Sequence, residues 1–131
     1  MTPTLTYVAW MAVITWLLLL VASLIRARIL SAGGLQVATG NREGLPKPTG
    51  LAGRAERTAR NTLENFVLFA AIALCAHAAG LSSPRIESGA TLFFWSRIVY
   101  VPVYYLGVEY LRTGVWLVSI AGLGVMLSAM L

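Results

Sequence analysis

The chain is organised around one stretch, Arg54-Ala-Glu-Arg-Thr-Ala-Arg-Asn-Thr-Leu-Glu-Asn65, which runs directly into an uncharged apolar segment from Phe66 to Leu81. At 100° per residue of an α-helix, six polar side chains of this stretch share one stripe about 140° wide. They are Arg54, Arg57, Arg60, Asn61, Glu64 and Asn65. Three guanidinium groups, a carboxylate and two amides on one face indicate a site for a small ligand that carries several charges.

An anchor at the membrane surface is the alternative interpretation of this stripe. Its arginine side chains would then extend to lipid phosphates. Such an anchor requires neither Glu64 nor the amides of Asn61 and Asn65 on the same face. The spacing of the residues alone leaves both interpretations open.

Composition places the chain in a membrane. Of its 131 residues, 58% are hydrophobic and 11% are charged, whereas a soluble domain carries roughly 25% charged residues. The net charge is +5 at pH 7, and seven of the ten Lys and Arg residues lie between Arg26 and Arg60. Basic residues grouped beside apolar segments set the orientation of a membrane protein. We therefore expect a lipid bilayer as the partner and no nucleic acid.

Four apolar segments predict a single all-α membrane domain, a bundle of four transmembrane helices. The spans are predicted at about residues 5–27, 54–79, 88–109 and 112–131. The first contains 21 uncharged residues from Leu5 to Ile25, enough to cross a hydrocarbon layer of roughly 30 Å. Ser31 to Gly53 contains eight Gly or Pro residues and is predicted as a loop. Because this loop is basic, we place it in the cytoplasm and both termini outside. Gly124 and Ser128 are candidates for close helix packing.

The third predicted span carries an arginine and a proline. Arg97, Tyr100 and Tyr104 share one helix face at i, i+3 and i+7. An arginine within a span normally faces the bundle interior or a watery cavity. A packed arginine–carboxylate pair is the alternative to a ligand site, and Glu64 is then the candidate partner; the two can coexist. Pro102 removes one backbone hydrogen bond and is expected to bend the helix.

The predicted topology brings three groups of polar residues together at the cytoplasmic boundary. Arg26 ends the first span, the Arg54–Asn65 stretch opens the second, and Arg112 and Thr113 open the fourth. Arginine binds carboxylates through two parallel charge-assisted hydrogen bonds, and Glu64 is able to accept bonds from an ammonium group. Glutathione carries two carboxylates, one ammonium group and a thiol, so it fits this set of side chains.

The sequence resembles a known family, the membrane-associated proteins in eicosanoid and glutathione metabolism (MAPEG). The resemblance is carried by three segments: Arg57-Thr-Ala-Arg-Asn-Thr-Leu-Glu-Asn65, Arg97-Ile-Val-Tyr-Val-Pro-Val-Tyr104 and Leu111-Arg-Thr113. Together with the four-span pattern, it covers nearly the whole chain. The proline in the third span and the Arg-Thr pair make the chain most similar to the bacterial branch.

The resemblance implies a homotrimer that binds glutathione as co-substrate in clefts between subunits, open to the cytoplasm. The glutathione-binding residues that it implies are Arg26 (from the neighbouring subunit), Arg57, Arg60, Asn61, Glu64, Tyr100, Tyr104 and Thr113. Arg112 matches the arginine that holds the glutathione thiolate, and Arg112 and Tyr104 are the implied catalytic residues. Tyr100 stands where one branch has histidine, which leaves the thiol-activating group open. No cluster of residues has metal-ligand spacing, so no metal is expected.

Two functions are consistent with this sequence. The first is an integral membrane glutathione transferase or peroxidase of the bacterial inner membrane, acting on lipophilic electrophiles. The second is a noncatalytic scaffold or lipid-binding protein of the same fold. Glu64 distinguishes them, because its carboxylate repels anionic lipid headgroups but suits the ammonium group of glutathione. The enzyme is therefore the preferred hypothesis.

Overall fold

The computed structural model describes residues 1–131 and is entirely helical. Its helices are α1 (Pro3–Ala27), α2 (Gly34–Thr39), α3 (Gly50–Ala78), α4 (Pro84–Leu106) and α5 (Glu109–Ser128). The four long helices run antiparallel to one another in sequence order. As a result, the end of α1, the start of α3, the end of α4 and the start of α5 lie at the same end of the bundle. The prediction of an all-α protein is confirmed.

Both ends of α4 are fixed by residues that favour helix termini. The Ser83 side chain accepts a hydrogen bond from the Ile86 amide at 3.2 Å, and proline occupies the first turn. The helix stops at Gly107, whose φ of 78° lies in the left-handed region that glycine adopts without strain. Only Gly107 and Val108 separate α4 from α5. The last turn of α4 and the first turn of α5 therefore lie side by side.

Three helices, α1, α3 and α5, are long and apolar enough to cross a membrane. α4 contains 23 residues, among them Arg85, Glu87 and Arg97, and does not reach the same apolar content. Only 30 of the 131 residues are buried within the chain, and large apolar side chains are exposed along the long helices. So extensive an apolar surface is stable in lipid rather than in water. The chain is an integral membrane protein.

The buried core consists of two clusters. The larger surrounds Phe69 of α3 and Phe93 of α4, whose rings are fully buried and stack at a centroid distance of 4.4 Å. The smaller lies nearer the basic end of the bundle and joins α1 to α3 through Leu18, Ala22, Ala55 and Ala59. Small side chains at such a contact let two helices approach closely. The polar residues at the start of α3 are thereby held against the end of α1.

α4 and α5 approach each other at Gly89 and Gly122. A β-carbon on Gly89 would lie 2.7 Å from the Gly122 carbonyl oxygen, so only glycine fits there. The small pair suggested by the sequence, Gly124 and Ser128, is exposed instead. Two residues turn a helix by about 200°, which carries Gly124 to the face opposite Gly122. The sequence therefore contains the correct kind of contact but does not reveal which glycine makes it.

The predicted loop from residue 31 to residue 53 differs from the structure in two places. It contains the short helix α2, and α3 already begins at Gly50. Gly33 and Gly40 flank α2 rather than interrupt it, so about one and a half helical turns form between them. The rest of the segment is held to α1 in part by Arg26, which donates a hydrogen bond to the Pro46 carbonyl.

Candidate functional site

Tyr104 lies between two arginines at the basic end of the bundle. Arg57 of α3 donates a hydrogen bond from Nε to the Tyr104 hydroxyl at 3.2 Å. The Arg112 guanidinium, in the first turn of α5, lies 4.8 Å from the centre of the Tyr104 ring. Tyr104 itself is buried, with 8% of its surface exposed. Two guanidinium groups around a buried phenol make a positively charged site suited to an anion.

A second arginine–tyrosine pair lies one turn deeper in the bundle. Arg97 is 1% exposed, and its guanidinium lies 4.0 Å from the centre of the Tyr100 ring. Its Nη2 donates to Asn61 Oδ1 at 3.0 Å and to Thr62 Oγ1 at 2.8 Å, while Nε and Nη1 have no hydrogen-bond partner. The Tyr100 and Tyr104 ring centres are 5.5 Å apart. The two pairs therefore form one continuous polar site.

The structure does not form the candidate ion pair between Arg97 and Glu64. Arg97 is bonded to the neutral side chains of Asn61 and Thr62, whereas Glu64 is exposed. Three residues turn a helix by about 300°, so Glu64 is rotated roughly 60° away from Asn61 and away from α4. Asn65 stays inside, where it donates to the Asn61 backbone carbonyl at 2.8 Å. The Glu64 carboxylate is thus left available to a ligand or to a neighbouring subunit.

Arg26 and Arg60 do not meet the tyrosines within one chain. With Arg42 and Glu56 they line a cleft of about 240 Å³ between α1 and α3. Arg60 follows Arg57 by three residues, so it is rotated by about 60° around α3, toward α1. The polar stripe of α3 is therefore divided, with one edge facing α4 and the other facing α1.

Thr113 also lies outside the site. Its side chain is exposed, and its hydroxyl donates to the Glu109 carbonyl one turn earlier at 3.3 Å. The predicted residues that the structure does bring together are Arg57, Asn61, Tyr100, Tyr104 and Arg112.

Two residues near the site were not assigned to it from the sequence. Thr62, a bonding partner of Arg97, is completely buried but lies outside the polar stripe. A hydroxyl on an otherwise apolar helix face was the signal that could have found it. Arg54 belongs to the stripe, and its Nε donates to the Tyr105 carbonyl at 2.9 Å. This bond holds the start of α3 against the end of α4.

These observations define an all-helical integral membrane protein with a buried arginine–tyrosine site at one end of its bundle. The model of the MAPEG family matches residues 4–131. The chain belongs to the MAPEG family, as its three motifs predict. No match to the chain is found among curated proteins or among solved structures. Membership in this family indicates a glutathione-related transferase or a related function at a membrane.

Proposed function

We propose that this protein is a glutathione transferase or peroxidase that acts on lipophilic electrophiles dissolved in the membrane. The observation that carries the proposal is the position of Tyr104 between Arg57 and Arg112. A glutathione thiolate bound beside Tyr104 would be stabilised by the Arg112 charge and by the helix dipole at the N-terminus of α5. An ionised thiol is the nucleophile that such a reaction needs.

Tyr104 is also able to bind the sulfur directly. Because its oxygen accepts the hydrogen bond from Arg57 Nε, the hydroxyl proton is free to be donated to another acceptor. In the reaction with an aryl halide, the thiolate forms a carbon–sulfur bond and the halide leaves with the electron pair of the broken carbon–halogen bond. The thiol proton goes to solvent. Arg112 and Tyr104 would favour the thiolate over the thiol before the attack.

Other polar groups suit the remaining parts of glutathione. Arg57 has donors for a carboxylate, and the exposed Glu64 suits the ammonium group. Asn61 is held in place by Arg97 and so presents its amide in a fixed orientation. In the proposed homotrimer, Arg60 and Glu64 face a neighbouring subunit, and that neighbour supplies Arg26. The exposure of Arg60 and Glu64 in the single chain supports a cleft completed by a second subunit.

The orientation in the membrane follows from charge. The end of the bundle that carries the site holds most of the basic residues, whereas Arg85 is the basic residue at the opposite end. By the positive-inside rule this places the site and residues 31–53 in the cytoplasm, with both termini outside. α4 forms the fourth span, since its one interior charge, Arg97, is enclosed by the bundle. A bacterial inner membrane is the proposed location.

A noncatalytic lipid-binding protein is the second candidate function, and the cleft between α1 and α3 favours it. Arg26 and Arg60 point into that cleft rather than toward the tyrosines. In this alternative the arginines bind lipid and no thiolate forms. The two candidates differ in whether glutathione binds and reacts.

Replacing Tyr104 separates these candidates. Purified protein in detergent is titrated with glutathione by calorimetry and assayed for conjugation of glutathione to a generic aryl halide. Tyr104→Phe should slow conjugation about tenfold, since the loss of one hydrogen bond to an anion raises the barrier by roughly 1.4 kcal/mol or more. Tyr105→Phe is the matched control, because the Tyr105 hydroxyl is buried without a partner, and it should retain full activity. A wild-type protein that fails to bind glutathione would contradict the proposal and favour the second candidate. Binding of glutathione without turnover would contradict the catalytic role.

A further inference from the structure

Arg54 of α3 caps the C-terminus of α4. The last carbonyl groups of an α-helix have no partner within the helix, and one of them, on Tyr105, accepts the hydrogen bond from Arg54 Nε at 2.9 Å. A cation at this end of a helix also interacts favourably with the helix dipole. The Arg54 side chain extends over the turn that follows, because a β-carbon on Gly107 would lie 3.7 Å from Arg54 Cδ. One arginine therefore covers both the end of α4 and the turn to α5.

The start of α5 depends on this turn for its position. Only Gly107 and Val108 join the two helices, and the first backbone hydrogen bond of α5 runs from the Arg112 amide to the Val108 carbonyl at 3.1 Å. No hydrogen bond links α5 to α1 or to α3. The close contact of α5 with α4, at Gly89 and Gly122, lies toward the opposite end of the bundle. A displacement of the turn would therefore carry Arg112 with it.

Two arginines one turn apart on α3 hold two consecutive residues of α4. Arg54 holds the backbone of Tyr105, and Arg57 holds the hydroxyl of Tyr104 at 3.2 Å. The hydrogen bonds of Arg97, which also join α3 to α4, lie deeper in the bundle. A bond to the main chain fixes the helix itself, whereas a bond to the Tyr104 hydroxyl fixes only a side chain that a ligand contacts. The cap by Arg54 is thus the hydrogen bond that holds the backbone of the α4–α5 turn against α3.

We propose that Arg54 is a positioning residue for the proposed reaction. By holding the end of α4, it sets the distance between the Arg112 guanidinium and a thiolate bound beside Tyr104. The guanidinium lies 4.8 Å from the centre of the Tyr104 ring, and the attraction between two charges weakens as their distance grows. This inference rests on the proposed function, because Arg54 acts through Arg112. Loss of the cap should weaken stabilisation of the thiolate without removing a contact with glutathione.

Two substitutions separate the hydrogen bond of Arg54 from its charge. The glutamine Nε2 is as many bonds from Cα as the arginine Nε, so Arg54→Gln retains a donor for the Tyr105 carbonyl but carries no charge. A methionine has a methyl group at that position, so Arg54→Met loses both the donor and the charge. A positioning role predicts that Arg54→Gln preserves the ionisation of bound glutathione and that Arg54→Met does not. A direct effect of the Arg54 charge predicts an equal loss in the two variants.

The pH dependence of the thiolate absorbance tests these alternatives in detergent-purified protein with bound glutathione. A nearby cation lowers the pKa of a thiol, so a displaced Arg112 should raise the pKa of the bound thiol. Arg54→Met should lower the ratio of thiolate to thiol at neutral pH about tenfold, the effect of one pKa unit, and should regain the wild-type absorbance at higher pH. Arg54→Gln should remain within about twofold of the wild-type ratio. A purely structural role would lower the absorbance by the same factor at every pH.

Lys47→Met is the matched control for the loss of a positive charge. Lys47 is exposed in the loop that precedes α3, at the same end of the bundle. Its replacement should leave the thiol titration unchanged. If Arg54→Met does not fold, as its melting temperature would show, Arg54→Gln decides alone. A tenfold loss of thiolate in that variant would exclude the positioning role.

Hydrogen exchange of the ligand-free protein tests the cap without glutathione. The amides of Gly107, Val108 and Arg112 are hydrogen-bonded across the α4–α5 turn. They should exchange about fivefold to tenfold faster in Arg54→Met than in the wild-type protein, because local opening of the turn becomes easier. In Arg54→Gln they should exchange at nearly the wild-type rate. Unchanged exchange in Arg54→Met would show that the cap does not hold the turn, which would overturn the inference.

The outcomes distinguish this inference from the proposed function. A wild-type protein without a thiolate signal would contradict the proposed function and, with it, the role of Arg54. A wild-type protein with a thiolate signal and an Arg54→Met variant with the same titration would refute the role of Arg54 alone. Equal losses in Arg54→Gln and Arg54→Met would assign the effect to charge and would also overturn the positioning role.

Discussion

Arg97→Met tests whether the buried arginine serves the site rather than the stability of the bundle. The substitution removes hydrogen bonds to Asn61 and Thr62, each worth about 1.5–3 kcal/mol to a charged group. It also removes the contact with the Tyr100 ring at 4.0 Å, worth about 2 kcal/mol when desolvated. The loss of these contacts lowers the stability of the variant relative to the wild-type protein.

The same substitution also removes unfavourable contributions of similar size to the stability. An arginine within a membrane span costs about 2.5–3.5 kcal/mol. Two of the Arg97 nitrogens are buried without a hydrogen-bond partner, and each such group costs about 1–3 kcal/mol. Part of this cost is already included in the cost of placing an arginine in a membrane span. Methionine has a similar length and no polar hydrogen. The free energy of unfolding should therefore fall by no more than about 2 kcal/mol.

Removing an acceptor of Arg97 should be more damaging than removing Arg97 itself. Asn61→Leu leaves the guanidinium charge buried with Thr62 as its hydrogen-bond partner, which should destabilise the protein by about 3 kcal/mol. Melting temperatures in detergent, without glutathione, give this comparison. If Arg97→Met unfolds the protein while Asn61→Leu is tolerated, the energetic reasoning is wrong.

Glutathione binding is expected to respond to Arg97→Met more strongly than stability does. Asn61 and Tyr100 would lose the group that orients them, so affinity should fall about tenfold, equivalent to roughly 1.4 kcal/mol. Ser96→Ala is the matched control, because Ser96 is buried next to Arg97 but its hydroxyl bonds only to the Phe93 carbonyl. An Arg97→Met protein that binds glutathione with unchanged affinity would refute the positioning role.

Three further predictions concern the proposed site. Arg112→Ala should lower the ultraviolet thiolate absorbance of bound glutathione at neutral pH and should slow conjugation more than it lowers affinity, since each unit of thiol pKa corresponds to about 1.4 kcal/mol. Arg112→Lys should restore part of the thiolate absorbance. Undiminished thiolate absorbance in Arg112→Ala would exclude a role of Arg112 in stabilising the thiolate. Glu64→Gln should weaken glutathione binding about tenfold without lowering the melting temperature of the ligand-free protein, because Glu64 is exposed; a large loss of stability would instead indicate a structural partner. Native mass spectrometry in detergent should show three chains per particle, and a persistent monomer would contradict the intersubunit cleft.

Much of the site could be predicted from the antiparallel topology of the helices. Once α3, α4 and α5 alternate in direction, residues at the start of α3, the end of α4 and the start of α5 must lie at one end. Arg57, Tyr104 and Arg112 met there because each is within about two turns of a helix terminus. The approximate proximity of these three residues can therefore be predicted without knowledge of side-chain packing.

The partner of Arg97 could not be predicted in the same way. Glu64 and Asn61 belong to the same polar stripe, and a periodicity argument does not say which edge of the stripe faces α4. The packing of Phe69 against Phe93 fixes the rotation of α3 about its axis and turns Asn61 inward. Charge complementarity favours the Glu64 carboxylate as the partner of Arg97, but in the structure it is the Asn61 amide that lies within hydrogen-bond distance.

The division of the α3 stripe links the proposed site to the proposed oligomer. Arg57 reaches Tyr104, but Arg60 and Arg26 lie at the cleft with α1, on the other side of the helix. A glutathione molecule beside Tyr104 therefore lacks the contact with Arg26 unless another chain supplies it. If one chain binds glutathione with full affinity as a monomer, Arg26 has no role in that site. If three chains are needed, Arg26 of one subunit completes the site of the next, and the site and the trimer form together.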